Sequence, residues 1–485
     1  MKTCRKLRHS AAGKTVLLLF LVALCSLLSC AKSDVGEPSV PDIRTSYTSN
    51  VVVGEDGNEM TALENYILRL DAEAGGNYRL TDEEIANTVL SFASGGVGSS
   101  SGIQPLSAAG INIKGIAPLR NEPVMMLSVE NDRSPVSPLV VEFDGPEGEG
   151  FAVCSGDKRY EKVFCYVPKG DIADTANLEL LKYFFRSVEY DVTDSISKFN
   201  AKIDSLTLLG YRYDTAQGYS TYYLPPGMVH LGYQFDIEGQ GEASLDMKTR
   251  WHQFSPYNDS MDERGAGQNF YVDPDNNRAV VGCAPLALGQ AMAYKKSPCF
   301  PNIYPKWDAI RSFSDIKGTG YEKDVADFFK ELTDQLHVKF TVDGTAAQLG
   351  NVRAFFQNHG IKHQEKTNVR YSTRDEKMDV INFVYDACNQ KEPVVIEEKI
   401  ADSYLSHVFV ICGVKFAYGL YFEVLGTETE FGGMNKMYNL LGDRYELYID
   451  CNFGWKNIPV GRFSWDNIAV GKTVFDGVNN MYTFQ

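Results

Sequence analysis

Val281-Gly282-Cys283-Ala284-Pro285-Leu286-Ala287-Leu288-Gly289-Gln290 places one cysteine where a helix should begin. Gly282 lets the backbone turn freely, and Pro285 suits a first helical turn, where its missing N–H has no partner to lose. The apolar run continues through Ala291 and Met292 and predicts a buried helix. A thiol at a helix N-terminus feels the positive end of the dipole, which favours the thiolate. A cysteine in an apolar run is also, by default, a small hydrophobe. On this segment alone packing and nucleophilic chemistry are both open.

Three further segments bear on the choice. Ser406-His407-Val408-Phe409-Val410-Ile411-Cys412-Gly413 brings a histidine into a short, apolar strand pattern closed by a glycine. Tyr448-Ile449-Asp450-Cys451-Asn452-Phe453-Gly454-Trp455 puts an asparagine and a tryptophan after another strand. Upstream, Trp251-His252-Gln253-Phe254-Ser255-Pro256-Tyr257-Asn258 supplies a glutamine able to donate to an oxyanion. A Cys, a distant His and then an Asn is the chain order of papain-like cysteine peptidases, in which the three meet in space. His252 competes with His407 as base, but lies upstream of the cysteine where the pattern calls for a base downstream.

Together these segments resemble the streptopain-type cysteine peptidases, secreted bacterial relatives of papain made as proenzymes. Gln253 to Asn258 matches the Gln, Pro, Tyr and Asn of a family segment, and Gly282-Cys283 through Gln290 matches its cysteine helix. His407, Phe409, Val410, Ile411 and Gly413 match a third motif, and Asn452, Gly454 and Trp455 a fourth. The resemblance spans about residues 245 to 470. Ser406, Cys412, Phe453 and Lys456-Asn457 depart from the family pattern without removing a chemically necessary group, and leave substrate preference open.

The resemblance implies an α+β architecture, a papain-like catalytic domain over 241–485 preceded by an α+β inhibitory propeptide domain over 51–240. It implies Cys283 as nucleophile and His407 as its base and acid, with Asn452 orienting the imidazole and Trp455 shielding that contact. Gln253 and the backbone N–H of Cys283 would form the oxyanion hole. Such a mechanism needs no metal or organic cofactor. The partners expected are protein or peptide substrates and the chain's own propeptide. Two other classes remain: a non-cleaving relative that binds through the cleft, and a thiol acyltransferase or transglutaminase on the same scaffold.

The N-terminus reads as a targeting device. Lys2, Arg5, Lys6, Arg8 and Lys14 precede an apolar run from Thr15 to Leu28 that is short for a membrane span. Leu27-Leu28-Ser29-Cys30 is similar to a bacterial lipobox, which implies a signal over 1–29, cleavage before Cys30 and acylation of that residue. A plain signal peptide cut nearby is the competing reading. Residues 30–50 read as a polar tether. The expected location is the bacterial cell envelope, with membrane contact through the lipid at Cys30. The net charge of −16, more negative still without those five basic residues, argues against nucleic acid or an anionic membrane surface as partner.

At 485 residues, 44% of them hydrophobic, the chain is long enough for two packed domains. In the first, Thr81-Asp82-Glu83-Glu84 predicts a capping box opening a helix that carries Ile85, Val89 and Phe92 on one face. Leu139–Phe143, Gly150–Asp157 and Val163–Val167 predict a strand meander, and its Gly-Phe-x-Val-x-Ser-Gly-Asp cadence is similar to the streptopain propeptide. An accessory adhesion domain is the alternative. The glycine-bearing Glu238-Gly239-Gln240-Gly241-Glu242 marks the expected boundary. Ten cysteines without metal-ligand spacing do not point to a disulfide scaffold, and the sequence leaves open whether Cys154 and Cys165 pair across a hairpin. Cys412 and Cys451 read as buried thiols, Trp307 as packing. Gly360 separates His359 from His363 and argues against a helical metal pair.

Overall fold

The computed structural model describes the chain from residue 51, apart from 54–58, 96–109, 120–135, 176–178, 215–218, 221–227, 343, 348, 401–405, 429–433, 457–459, 469–474 and 485. The leader, the tether and Cys30 lie outside the described residues.

Helices α1 (Ala62–Ala74) and α2 (Asp82–Ala93) each open with a capping box, Thr61 with Glu64 and Thr81 with Glu84. In both, the threonine hydroxyl accepts from the glutamate N–H while the glutamate carboxylate accepts from the threonine N–H, so orphan donors of the first turn are satisfied. Ile85, Val89 and Phe92 of α2 are buried, as their spacing requires. The long helix α3 (Glu179–Leu208) follows. Strands β1 (Asn112–Pro118), β2 (Leu139–Gly145), β3 (Gly148–Cys154) and β4 (Val163–Val167) form the expected antiparallel meander. Cys154 and Cys165 are free, and they face different cores on opposite sides of that sheet, which rules out the hairpin disulfide in this fold.

The second half builds around α4 (Cys283–Lys295), α5 (Glu322–Gln335) and α6 (Arg374–Asn389). Its strands are β5 (Met228–Ser244), β6 (Glu365–Thr367), β7 (Val394–Ile400), β8 (Ser406–Glu428), β9 (Met434–Asn452), β10 (Gly461–Ser464) and β11 (Phe475–Thr483). One sheet takes in both halves, in the order β6-β11-β7-β8-β9-β10-β4-β3-β2-β1. The junction is β10 on β4, where Arg462 pairs with Tyr166 and Phe463 with Cys165. Along one edge of β8, β7 pairs with Ser406 to Ile411 and β5 with Gly413 to Thr427.

Glu238–Glu242, expected as a linker, forms the middle of β5 instead. Its glycines answer to packing: a Cβ on Gly239 would strike the ring of Tyr418, and one on Gly241 would meet Phe416 at 2.7 Å.

Two large cores lie against the central strands. Val408, Val410 and Cys412 of β8 pack with Leu286, Leu288 and Met292 of α4. Phe409 and Ile411, alternating with them, pack with Phe453, Trp455 and the Leu181, Phe184 and Val188 face of α3. Trp307 is buried with its indole N–H donating to the Ser297 carbonyl at 2.9 Å, a packing role as expected.

Candidate active site

Cys283 is the first residue of α4, and Gly282 before it holds φ at 92°. That conformation is costly for any residue with a Cβ, and a Cβ here would also strike the side chain of Thr345 on the strand Gly344–Ala346. Glycine is therefore required twice over at the position before the thiol. The helix closes its first turn with Leu286 N–H donating to the Gly282 carbonyl at 3.1 Å. Cys283 is partly buried at the edge of the α4 core. Burial pushes its thiol above the usual range, against the N–H groups of Val408 and Ala284, which draw it down. The depressed pKa expected from the helix terminus alone is overridden by desolvation.

Gln253 lies beside this helix start: its carbonyl accepts from the N–H of Val281 at 3.1 Å, two residues before the thiol. The rest of its motif anchors the loop. Tyr257 donates its hydroxyl to Asp315 at 2.9 Å, and the Asn258 amide donates to the Ala279 carbonyl at 3.3 Å. His252 is buried against Tyr257, with ring centroids 4.7 Å apart, and its Nδ1 accepts from the N–H of Phe254 at 3.3 Å. Burial holds its pKa down at about 4, so it is a neutral packed ring.

Asn452 is placed differently from expectation. Its Nδ2 donates to the Thr249 carbonyl and to Gln290 Oε1, both at 2.9 Å, and its Oδ1 accepts from Gln290 Nε2 at 3.3 Å and from Gly454 N–H at 3.2 Å. None of these bonds reaches His407. Gln290 lies seven residues after Cys283 on α4, about 10 Å along the helix at 1.5 Å per residue. Gln290 also accepts from the N–H of Trp251 at 3.3 Å, so one buried amide ties three separate motifs together. Nothing in the local sequence marks that role, because the partners are remote.

His407 sits on the other side of the sheet. It alternates with Val408, which faces α4, and its ring stacks on Trp455 (centroids 5.6 Å apart, planes at 29°) and lies 6.1 Å from Phe453. One ring N–H donates to the Phe453 carbonyl, and Nε2 is buried without a partner among the described residues. Burial, opposed by that carbonyl, pushes the imidazole down to about 4. Trp455 in turn stacks on Phe453 at 4.3 Å, and Gly454 between them holds φ at 74° where a Cβ would strike Leu286.

The site residues therefore form two groups. Cys283, Gln253 and Asn452 gather around α4, whereas His407 and Trp455 share the core covered by α3. Strand parity is the physical reason, since neighbours on β8 point to opposite faces.

Residues 251–458 match the model of the Peptidase C10 family. Among solved structures the chain is similar to the active wild-type interpain A cysteine protease of Prevotella intermedia, at 17% identity and a TM-score of 0.34. That similarity covers 50% of this chain and 94% of interpain A. No curated protein matches the chain.

Proposed function

We propose that this chain, whose residues 251–458 match the Peptidase C10 family, is a cysteine-type peptidase of the streptopain family, a lipid-anchored, exported endopeptidase made as a latent precursor. Cys283 attacks the scissile carbonyl as thiolate, and the proton it loses rests on His407. His407 then protonates the departing amine and activates water for deacylation. The Cys283 N–H and the Gln253 amide receive the oxyanion, a donor pair whose loss commonly costs about 10²–10³ in rate per donor. Trp455 keeps water from the imidazole. Asn452, engaged with Gln290, supports the fold of the site.

The observation that carries the latent form is the separation of thiol and imidazole on two faces of one sheet. Leu181 and Phe184 of α3 belong to the core that holds His407, and Phe184 meets Phe463 edge-on at 5.1 Å. Lys162 forms an ion pair with Asp466 at 3.3 Å, and Asn467 donates to Asp191 at 3.1 Å, so polar contacts also bind the halves. His407 occupies the last rung but one of the β7–β8 ladder. Releasing Glu398–His407 and Lys399–Ser406 frees the ring to turn toward α4. Removal of the region up to about residue 240 uncovers this corner and permits that turn.

The purified precursor should hydrolyse casein poorly until cut between about Pro225 and Lys248, then gain activity sharply with new peptide N-termini in the substrate. Equal specific activity before and after the cut makes the first half an accessory domain. Thiol-dependent turnover without new N-termini makes the enzyme a transferase.

A further inference from the structure

Glu398 has no part in the chemistry above, yet it is the most constrained acid near the site. It is 1% exposed, and its Oε1 has no hydrogen-bond partner among the described residues. It pairs directly with His407 across the β7–β8 ladder, so both side chains project from the same face. His407 Nε2 is likewise buried and, among the described residues, unpartnered. Two orphaned groups of complementary chemistry thus face each other across one rung. The pocket into which Glu398 points is lined by Leu181 and Phe184 of α3, by Phe453 and Trp455, and by Phe463 and Ile468. Those side chains carry no charge, and the other titratable group felt there is the buried Cys451 thiol on β9.

We propose that Glu398 is a positioning residue that parks His407 in the precursor, its carboxyl sharing one proton with Nε2 on the side of the sheet away from Cys283. The inference rests on the latent peptidase reading and names the device that holds it. With one ring N–H on the Phe453 carbonyl, a neutral imidazole offers its other nitrogen as acceptor. Glu398 is the donor the ladder places opposite it, and since the two atoms are not hydrogen-bonded to each other, a bridging water carries the contact. Burial raises the Glu398 carboxyl well above its usual range, which favours the protonated, donating form. Loss of that proton at high pH leaves two acceptors facing each other and releases the ring. Leu181 and Phe184 close the pocket, so the latch exists while α3 is docked.

The test uses the full-length precursor. Glu398→Leu removes the donor without removing bulk, whereas Glu398→Gln keeps an N–H donor and cannot ionise. Self-conversion of E398L should run at least about tenfold faster than the parent, with E398Q within about twofold of the parent near neutrality. The ratio of parent to E398Q conversion rates should rise with pH. Conversion of E398L at the parental rate, or a ratio flat with pH, overturns the proposal. If E398L does not fold, the pH ratio decides. Nitrogen-15 imidazole spectra of the Cys283→Ala precursor need no turnover. His407 should hold one neutral tautomer through the pH range where exposed histidines titrate, in both the parent and E398Q. Titration near pH 6.5 in the parent overturns the latch. Failure of the peptidase reading looks different, as no conversion in any variant.

Discussion

Gln290 and Asn452 exchange two hydrogen bonds, at 2.9 and 3.3 Å, between the middle of α4 and the end of β9. Both residues are fully buried, and with the Trp251 N–H and the Thr249 carbonyl they join the segments that frame Cys283. An amide pair in such a site contributes mainly through what its loss leaves behind. One truncated partner strands polar atoms at about 1–3 kcal/mol per group.

Gln290→Ala and Asn452→Ala should therefore each lower unfolding free energy by that order, and the double variant by less than the sum. Urea unfolding of the Cys283→Ala precursor, which cannot digest itself, reads both. Additive losses would show that the two amides are not a unit. An Asn452→Ala protein of parental stability that has lost all activity would return Asn452 to an orienting role.

Acid should loosen the precursor. His407 and His252 are both pushed down to about 4 by burial, below the ordinary 6.5. The unfolded chain then binds more protons between those values. Their contribution is fully present above about pH 6.5 and is lost as pH falls toward 4. Glu398 works in the opposite sense, since its raised carboxyl favours the folded state at low pH and less so as pH rises past the ordinary 4.5. The urea midpoint of the Cys283→Ala precursor should fall between pH 6.5 and 4.5, and less so in the His407→Leu background. An unchanged midpoint contradicts the buried neutral rings.

Cys30 should anchor the chain. In the Cys283→Ala background, which prevents release by maturation, Cys30→Ala should still be exported yet leave the membrane fraction almost completely. Each buried CH₂ of an acyl chain contributes roughly 0.8 kcal/mol, so losing the chains removes most of the affinity. Firm retention of the double variant on membranes contradicts the lipid anchor.

Much of the scaffold was legible from local patterns. Gly282 before Cys283, the Thr81–Glu84 box and the β2–β4 meander all follow from spacing over a few residues. The face of His407 did not. Val408 to Cys412 is apolar on both sides of its strand, so alternation carries no signal about which neighbours point toward α4. Gln290 and Asn452 are 162 residues apart, and their pairing depends on tertiary packing alone. Gly239 and Gly241 read as linker glycines because the aromatic rings they accommodate, on Tyr418 and Phe416, come from a strand far along the chain.

The most direct test is casein hydrolysis by the cut protein with Cys283 replaced by alanine. Cys283→Ala should fold as the parent does and yield no new peptide N-termini, and His407→Ala should match it, because members of one catalytic unit do not add. Cleavage retained in Cys283→Ala, in protein free of contaminating protease, contradicts the assignment of this thiol as the nucleophile.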